Sequence, residues 1–248
     1  MKSKTTSGIG VIVLTAGAVL LWSGMAAAGD PVLGCQAAKV KADIKRSACL
    51  GKERIKELAG KASDSASCET KFDAAIAAAD AKAANKGVAC RFLDNGDGTI
   101  SDLDTLDMWE KKTDDGSVHD VDNTYTWNTA SAGTEPNGTA FTVFLAALNN
   151  CESNSASTVS GGFAGYCDWG LPDHVRLQTI LDLPCSGSPC VDAVFNSGDS
   201  FTAASFYWSS TSLASSPNFA WFVDFDDGGG NVVNKDNGDF VRAVRGGR

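Results

Sequence analysis

The chain has 248 residues, 43% of them hydrophobic, with eight cysteines and a formal net charge of −9. Such a balance repels phosphate backbones and sulfated polymers, which excludes nucleic acid as an expected partner. None of the cysteines forms a C-x2-C pair, so a disulfide framework is expected rather than a zinc site.

At the N-terminus, Lys2 and Lys4 precede an uncharged apolar run from Ile9 to Trp22 and the small residues Gly24-Met25-Ala26-Ala27-Ala28. This order predicts a secretory signal peptide over residues 1–28, cut after Ala28. At 14 residues the run is shorter than the roughly 20 that a bilayer-spanning helix needs, so no membrane span is expected after cleavage. Loss of Lys2 and Lys4 takes the mature charge to −11. Export places the protein in the periplasm, at the cell surface or outside the cell, where all eight cysteines are expected to oxidise.

Residues 29–89 are rich in Ala, Lys and Glu, with the single aromatic Phe72, and predict a helical hairpin module. Val40, Ile44 and Ala48 mark the expected inner stripe of the first helix, and Phe72, Ile76, Ala79 and Ala83 that of the second. Gly60 and the run Ser63-Asp64-Ser65-Ala66-Ser67 supply a stop and N-caps between them. In a hairpin turning near residue 63, Cys35 falls opposite Cys90, with Cys49 and Cys68 paired inside. The inner pair requires the loop to fold back, because residue 49 otherwise faces the middle of the second helix.

From residue 90 to 248 the sequence turns to Gly, Asn, Asp, Ser, Thr and aromatics, which is strand-and-loop composition. Arg91–Asp94 and Thr99–Asp102 flank the turn Asn95-Gly96-Asp97-Gly98 and predict a β-hairpin. A helix is expected from Thr139 to Leu148 and another from Asp173 through Leu181, with Asp173 as its cap. Cys151 with Cys167, and Cys185 with Cys190, bracket small loops as the remaining two disulfides. The last third reads as a β-meander whose closing strand returns beside an early one, giving an α+β fold. Alternation sets Tyr207 and Ser209 on the face opposite Trp208 and Ser210, so burial of both aromatics is not expected.

Several segments, in order, resemble the bacterial domain family named after the C-terminal domain of the Legionella collagen-like adhesin. They are Arg91-Phe92, Asp94–Asp102, Met108-Trp109-Glu110-Lys111, the helix ending Leu148-Asn149, Asp168-Trp169-Gly170-Leu171-Pro172, Tyr207-Trp208-Ser209-Ser210 and Val241–Gly246. Gly170 stands where the family pattern usually has arginine, and His174-Val175-Arg176 where it has an acidic residue. The resemblance implies a C-type-lectin-like fold, related in architecture to formylglycine-generating enzymes. It also implies an adhesion or recognition role.

No Gly-x-Ser-x-Gly elbow, His-Glu-x-x-His helix or phosphate loop occurs, so binding is expected rather than catalysis. The ligand expected is a glycan or protein at a cell surface, held by long loops at residues 129–139, 152–165 and 211–218. Trp208, Ser210, Asp224 and Arg242 are the candidate ligand-binding residues. The only cofactor considered is calcium, for which Asp226, Asp227, Asp236 and Asp239 supply hard oxygen ligands if the meander gathers them. Two alternatives stand beside recognition: an enzyme of the formylglycine-generating type, which needs a reactive cysteine pair, and a purely structural envelope protein.

Overall fold

The structure, a computed structural model, describes residues 30–153 and 159–247. The expected signal peptide, residues 1–28, lies outside the described residues, as do residues 154–158 of the 152–165 loop. Two helices come first, α1 (Pro31–Leu58) and α2 (Ser65–Ala84). Gly60, at φ +66°, ends the first, and the Asp64 carboxylate accepts the Ser67 N–H at 3.0 Å to start the second. The link folds back along α1, with the Asp64 N–H donating to Glu53 Oε2 at 2.7 Å. That turn brings Cys68 level with Cys49. The disulfides Cys35–Cys90 and Cys49–Cys68 tie the module, with Cα–Cα separations of 6.0 and 5.7 Å.

α2 buries Cys68, Phe72, Ile76, Ala79 and Ala83, the stripe its spacing predicts. α1 does not follow its apolar spacing. Ile44 is 63% exposed, whereas Cys35, Lys39, Ala42 and Glu53 are buried. The cysteines explain the rotation: turning Cys35 and Cys49 towards α2 carries with them every residue at three- and four-residue spacing. Each charge on that seam has a partner. Lys39 Nζ lies 2.6 Å from Asp80 and 2.5 Å from Asp104, and Arg46 is bidentate to Glu69 at 2.7 Å. Two disulfides at about 2–4 kcal/mol each outweigh the roughly 1.5–3 kcal/mol gained by burying one isoleucine.

The remainder is α+β. β1 (Phe92–Asp94), β2 (Thr99–Asp102) and β3 (Asp107–Glu110) form an antiparallel meander, and β11 (Val244–Gly246) returns to pair with β3, Val244 opposite Trp109. The β1–β2 turn is closed by its own aspartates, Asp94 accepting from Gly96 N–H and Asp97 from Thr99 N–H. β7 (Phe206–Ser212), β8 (Phe219–Asp224) and β9 (Gly230–Asn234) make a second antiparallel sheet. Two short ladders join β4 (Tyr125–Thr126) to β10 (Gly238–Asp239) and β5 (Cys151–Ser153) to β6 (Val159–Gly161). The expected helix at 139–148 is a π-helical stretch, Ala140–Leu145, running into α3 (Ala146–Leu148). α4 (His174–Gln178) is capped by Asp173, whose carboxylate accepts the Arg176 N–H at 2.8 Å.

Burial on both faces of β7 corrects the expectation from alternation. Tyr207 and Trp208 are each 0% exposed. Tyr207 joins Ile100, Trp109, Leu177, Phe195, Val223 and Phe225, while Trp208 joins Tyr125, Trp127, Phe144, Trp169 and Ala220 on the other side. Each polar tip is satisfied, the Trp208 indole N–H by Tyr125 O at 2.9 Å and the Tyr207 hydroxyl by Ala203 N–H at 3.0 Å. Among the described residues no helix is long and apolar enough to cross a membrane.

Candidate functional site

The structure separates the residues singled out as ligand contacts. Trp208 is in the core. Arg242 is also fully buried, its guanidinium donating to Glu110 O (2.8 Å), Phe201 O (2.9 Å) and Thr202 Oγ1 (2.7 Å), with Phe195 beneath it. Neither reaches a ligand from there, because the chain at residues 201–202 covers Arg242 and Tyr125, Trp127 and Phe144 cover Trp208. Ser210 is exposed, and Asp224 sits half-buried opposite Phe206, itself 40% exposed.

The four aspartates considered for calcium are not gathered. Asp226 and Asp227 stand in the β8–β9 turn, Asp236 and Asp239 beyond the far end of β9. Successive turns of a meander lie at opposite ends of the strand between them, so this set cannot share one ion. Asp226 instead accepts the Ser188 hydroxyl, and Asp227 the Gly229 N–H. Asp239 is half-buried with Oδ2 unpartnered, and burial pushes its pKa up to about 6. Among the described residues, Asp114, Asp120 and Asp122 do approach one another. Asp120, however, spends its carboxylate on the N–H groups of Asp122, Gly116 and Asp115, which hold its pKa low and fold the loop.

Beneath that loop lies a charged cluster that sequence reading missed. Glu110 is fully buried; Lys112 Nζ lies 3.0 Å and His119 Nδ1 2.8 Å from its Oε1, and Ala243 N–H donates to Oε2. Burial opposes its charge, yet Lys112, His119 and the Ala243 N–H hold its carboxyl below the usual range. Lys235, which stands among the turn residues Asp236-Asn237-Gly238, is buried as well. Its ammonium stands 3.5 Å from the centre of the Trp127 ring and donates to Thr134 O and Ser212 Oγ, pinning the 129–139 and 211–218 loops together.

One open polar cleft of about 410 Å3 is built where β3, α4 and β11 converge, lined by Thr105, Asp107, Asp173, Arg176, Gly246 and Gly247. The Asp173 cap fixes the first turn of α4, and Arg176 then projects onto the buried carboxylate of Asp107. Its Nη2 also donates to Arg245 O at 3.1 Å and Gly246 O at 3.0 Å. Gly247, at φ +96°, has no room for a side chain, since a Cβ would stand 2.6 Å from Asp107 Oδ1. On the other face of β11 from the cleft, beside Met108, Arg245 grips Asp168 at 2.6 and 3.1 Å and lies over Tyr166, which is 37% exposed. The cleft therefore sets the Arg176 guanidinium against the Asp107 carboxylate, with Asp173 also in its lining. Arg176 and Asp107 are 69 residues apart, and no local pattern announces their pairing.

All eight cysteines are paired, Cys151 with Cys167 and Cys185 with Cys190 in addition to the two hairpin bonds. The family model described as Lcl C-terminal domain matches residues 98–245, a span that takes in every cleft residue except Gly246 and Gly247. No curated protein and no solved structure matches the chain.

Proposed function

The chain belongs to the Lcl C-terminal domain family, and we propose that it is an exported, non-catalytic adhesion module that binds a glycan through the Arg176 cleft of a C-type-lectin-like domain. The observation that carries this reading is the cleft itself, where paired donors and acceptors match the vicinal hydroxyls of a sugar. The Lys235 clamp holds two of the long loops in place, as a recognition surface requires. An enzyme of the formylglycine-generating type needs a reactive cysteine pair, and the disulfide set supplies no free thiol for it. A glycan array probed with the disulfide-intact protein, with and without calcium, tests the proposal. Binding is expected to be lost in Arg176→Gln and kept in Ser188→Ala, a change at a residue that does not line the cleft. No glycan bound, or binding unchanged by Arg176→Gln, refutes it.

A further inference from the structure

α1 carries a second stripe on the side away from α2. Val40, Ile44, Ala48, Gly51, Ile55 and Leu58 fall within an arc of roughly 80° at about 100° per residue. Ile44, Ile55 and Leu58 are 63%, 68% and 74% exposed, and Ala48 and Gly51 are exposed between them. Single exposed hydrophobics are ordinary on a protein surface, but an aligned row along one helix is an interaction face.

The order of side chains along the row points to its occupant. Leu33 and Ala37 precede it in the same arc; from Val40 on it runs large, large, small, small, large, large, and that part is symmetric about the point between Cys49 and Leu50. A second helix turned end for end about that point sets Ile44 level with Ile55 of the copy and Ala48 level with Gly51. Val40 then comes within one residue rise, about 1.5 Å, of Leu58. Small residues at the crossing let the two backbones approach, and the larger pairs close over either side. We propose that this face is a two-fold interface in which α1 packs antiparallel against α1 of a second copy of the chain.

The small centre of the row and the acidic remainder of the chain favour this occupant over a lipid surface, and the flanking lysines set its salt dependence. Lys41, Lys45 and Lys52 are exposed along one edge of the row. An anionic membrane would suit the lysines, but Ala48 and Gly51 leave the centre of the row with little to insert. Residues 91–248 also carry 22 acidic against 8 basic residues, which anionic lipid repels. In the antiparallel pair the lysine edge faces itself, so screening by salt should tighten the dimer.

Sedimentation equilibrium of the disulfide-intact chain is the test, with circular dichroism to confirm that each variant folds. A monomer–dimer equilibrium strengthened by salt is expected. Ile44→Glu and Ile55→Lys should each weaken it by at least about 30-fold, because each buries an unpaired charge. The double variant Ile44→Glu/Ile55→Lys sets opposite charges level across the two-fold and should restore the dimer, now weakened by salt. A parallel pairing would set like charges together and would not restore it. A chain that stays monomeric, a dimer indifferent to Ile44→Glu, failure of the double variant, or binding of the monomer to phosphatidylserine vesicles through this row would each overturn the proposal.

Discussion

Replacing Arg242 by alanine is expected to remove about 3–5 kcal/mol of folding stability, the cost of breaking a buried charged network at one partner. The guanidinium is 0% exposed and makes three hydrogen bonds of 2.7–2.9 Å, two of them to backbone carbonyls. Its loss strands both carbonyls at about 1–3 kcal/mol each and leaves a cavity beside Phe195. Against a typical total of about 5–15 kcal/mol, that is a large share. Urea unfolding with the disulfides intact measures it, as a fall in midpoint at constant slope. Arg245→Ala, three positions along the same segment, is the control: its partner Asp168 is 60% exposed, and the pair is worth no more than about 1 kcal/mol. An Arg242→Ala protein within about 1 kcal/mol of the parent would refute the burial argument and return Arg242 to the surface.

Asp239 gives a pH signature. Its folded pKa is raised to about 6 by burial, so the fold prefers the protonated acid; stability is full below the ordinary value of 3.8 and declines as pH rises through about 6. Discounted for partial exposure, the loss is about 1–2 kcal/mol. Asp239→Asn should flatten the midpoint-versus-pH curve over that window, and an unchanged curve would count against it. Replacing Cys35 and Cys90 together by serine opens a link between residues 55 apart and should cost about 4 kcal/mol by chain entropy. Limited proteolysis should then cut first in the α1–α2 region; an unaltered digestion pattern would show that packing alone holds the hairpin.

What the sequence made legible was local. The Asn95–Gly98 turn, the Asp173 cap and the α2 stripe each rest on a few neighbouring residues, and each stands in the structure. The family pattern, matched over residues 98–245, was equally readable, because it is an ordered string of short motifs. What failed depended on contacts between distant segments. Tyr207 and Trp208 are neighbours, and alternation is right about their opposite faces. Only the second layer, brought by Tyr125, Trp127 and Phe144, shows that both faces are interior. Arg242 and Lys235 look like surface charges, Arg242 in the closing strand and Lys235 among turn residues. Their burial follows from carbonyls and hydroxyls supplied 23 to 132 residues away.

The α1 stripe joins these failures to the proposed interface. Periodicity located the apolar row correctly and assigned it to the wrong side, because hydrophobic spacing assumes that rotation about a helix axis is free to follow burial. Here it is not. Rotating α1 by about half a turn to bury Ile44 and Ile55 would pull Cys35 and Cys49 away from Cys90 and Cys68 and strand Lys39 from Asp80 and Asp104. A helix whose rotation is held covalently can keep an apolar face in water in the monomer. It can then offer that face to a second copy without refolding, so association should proceed with no change in helix content.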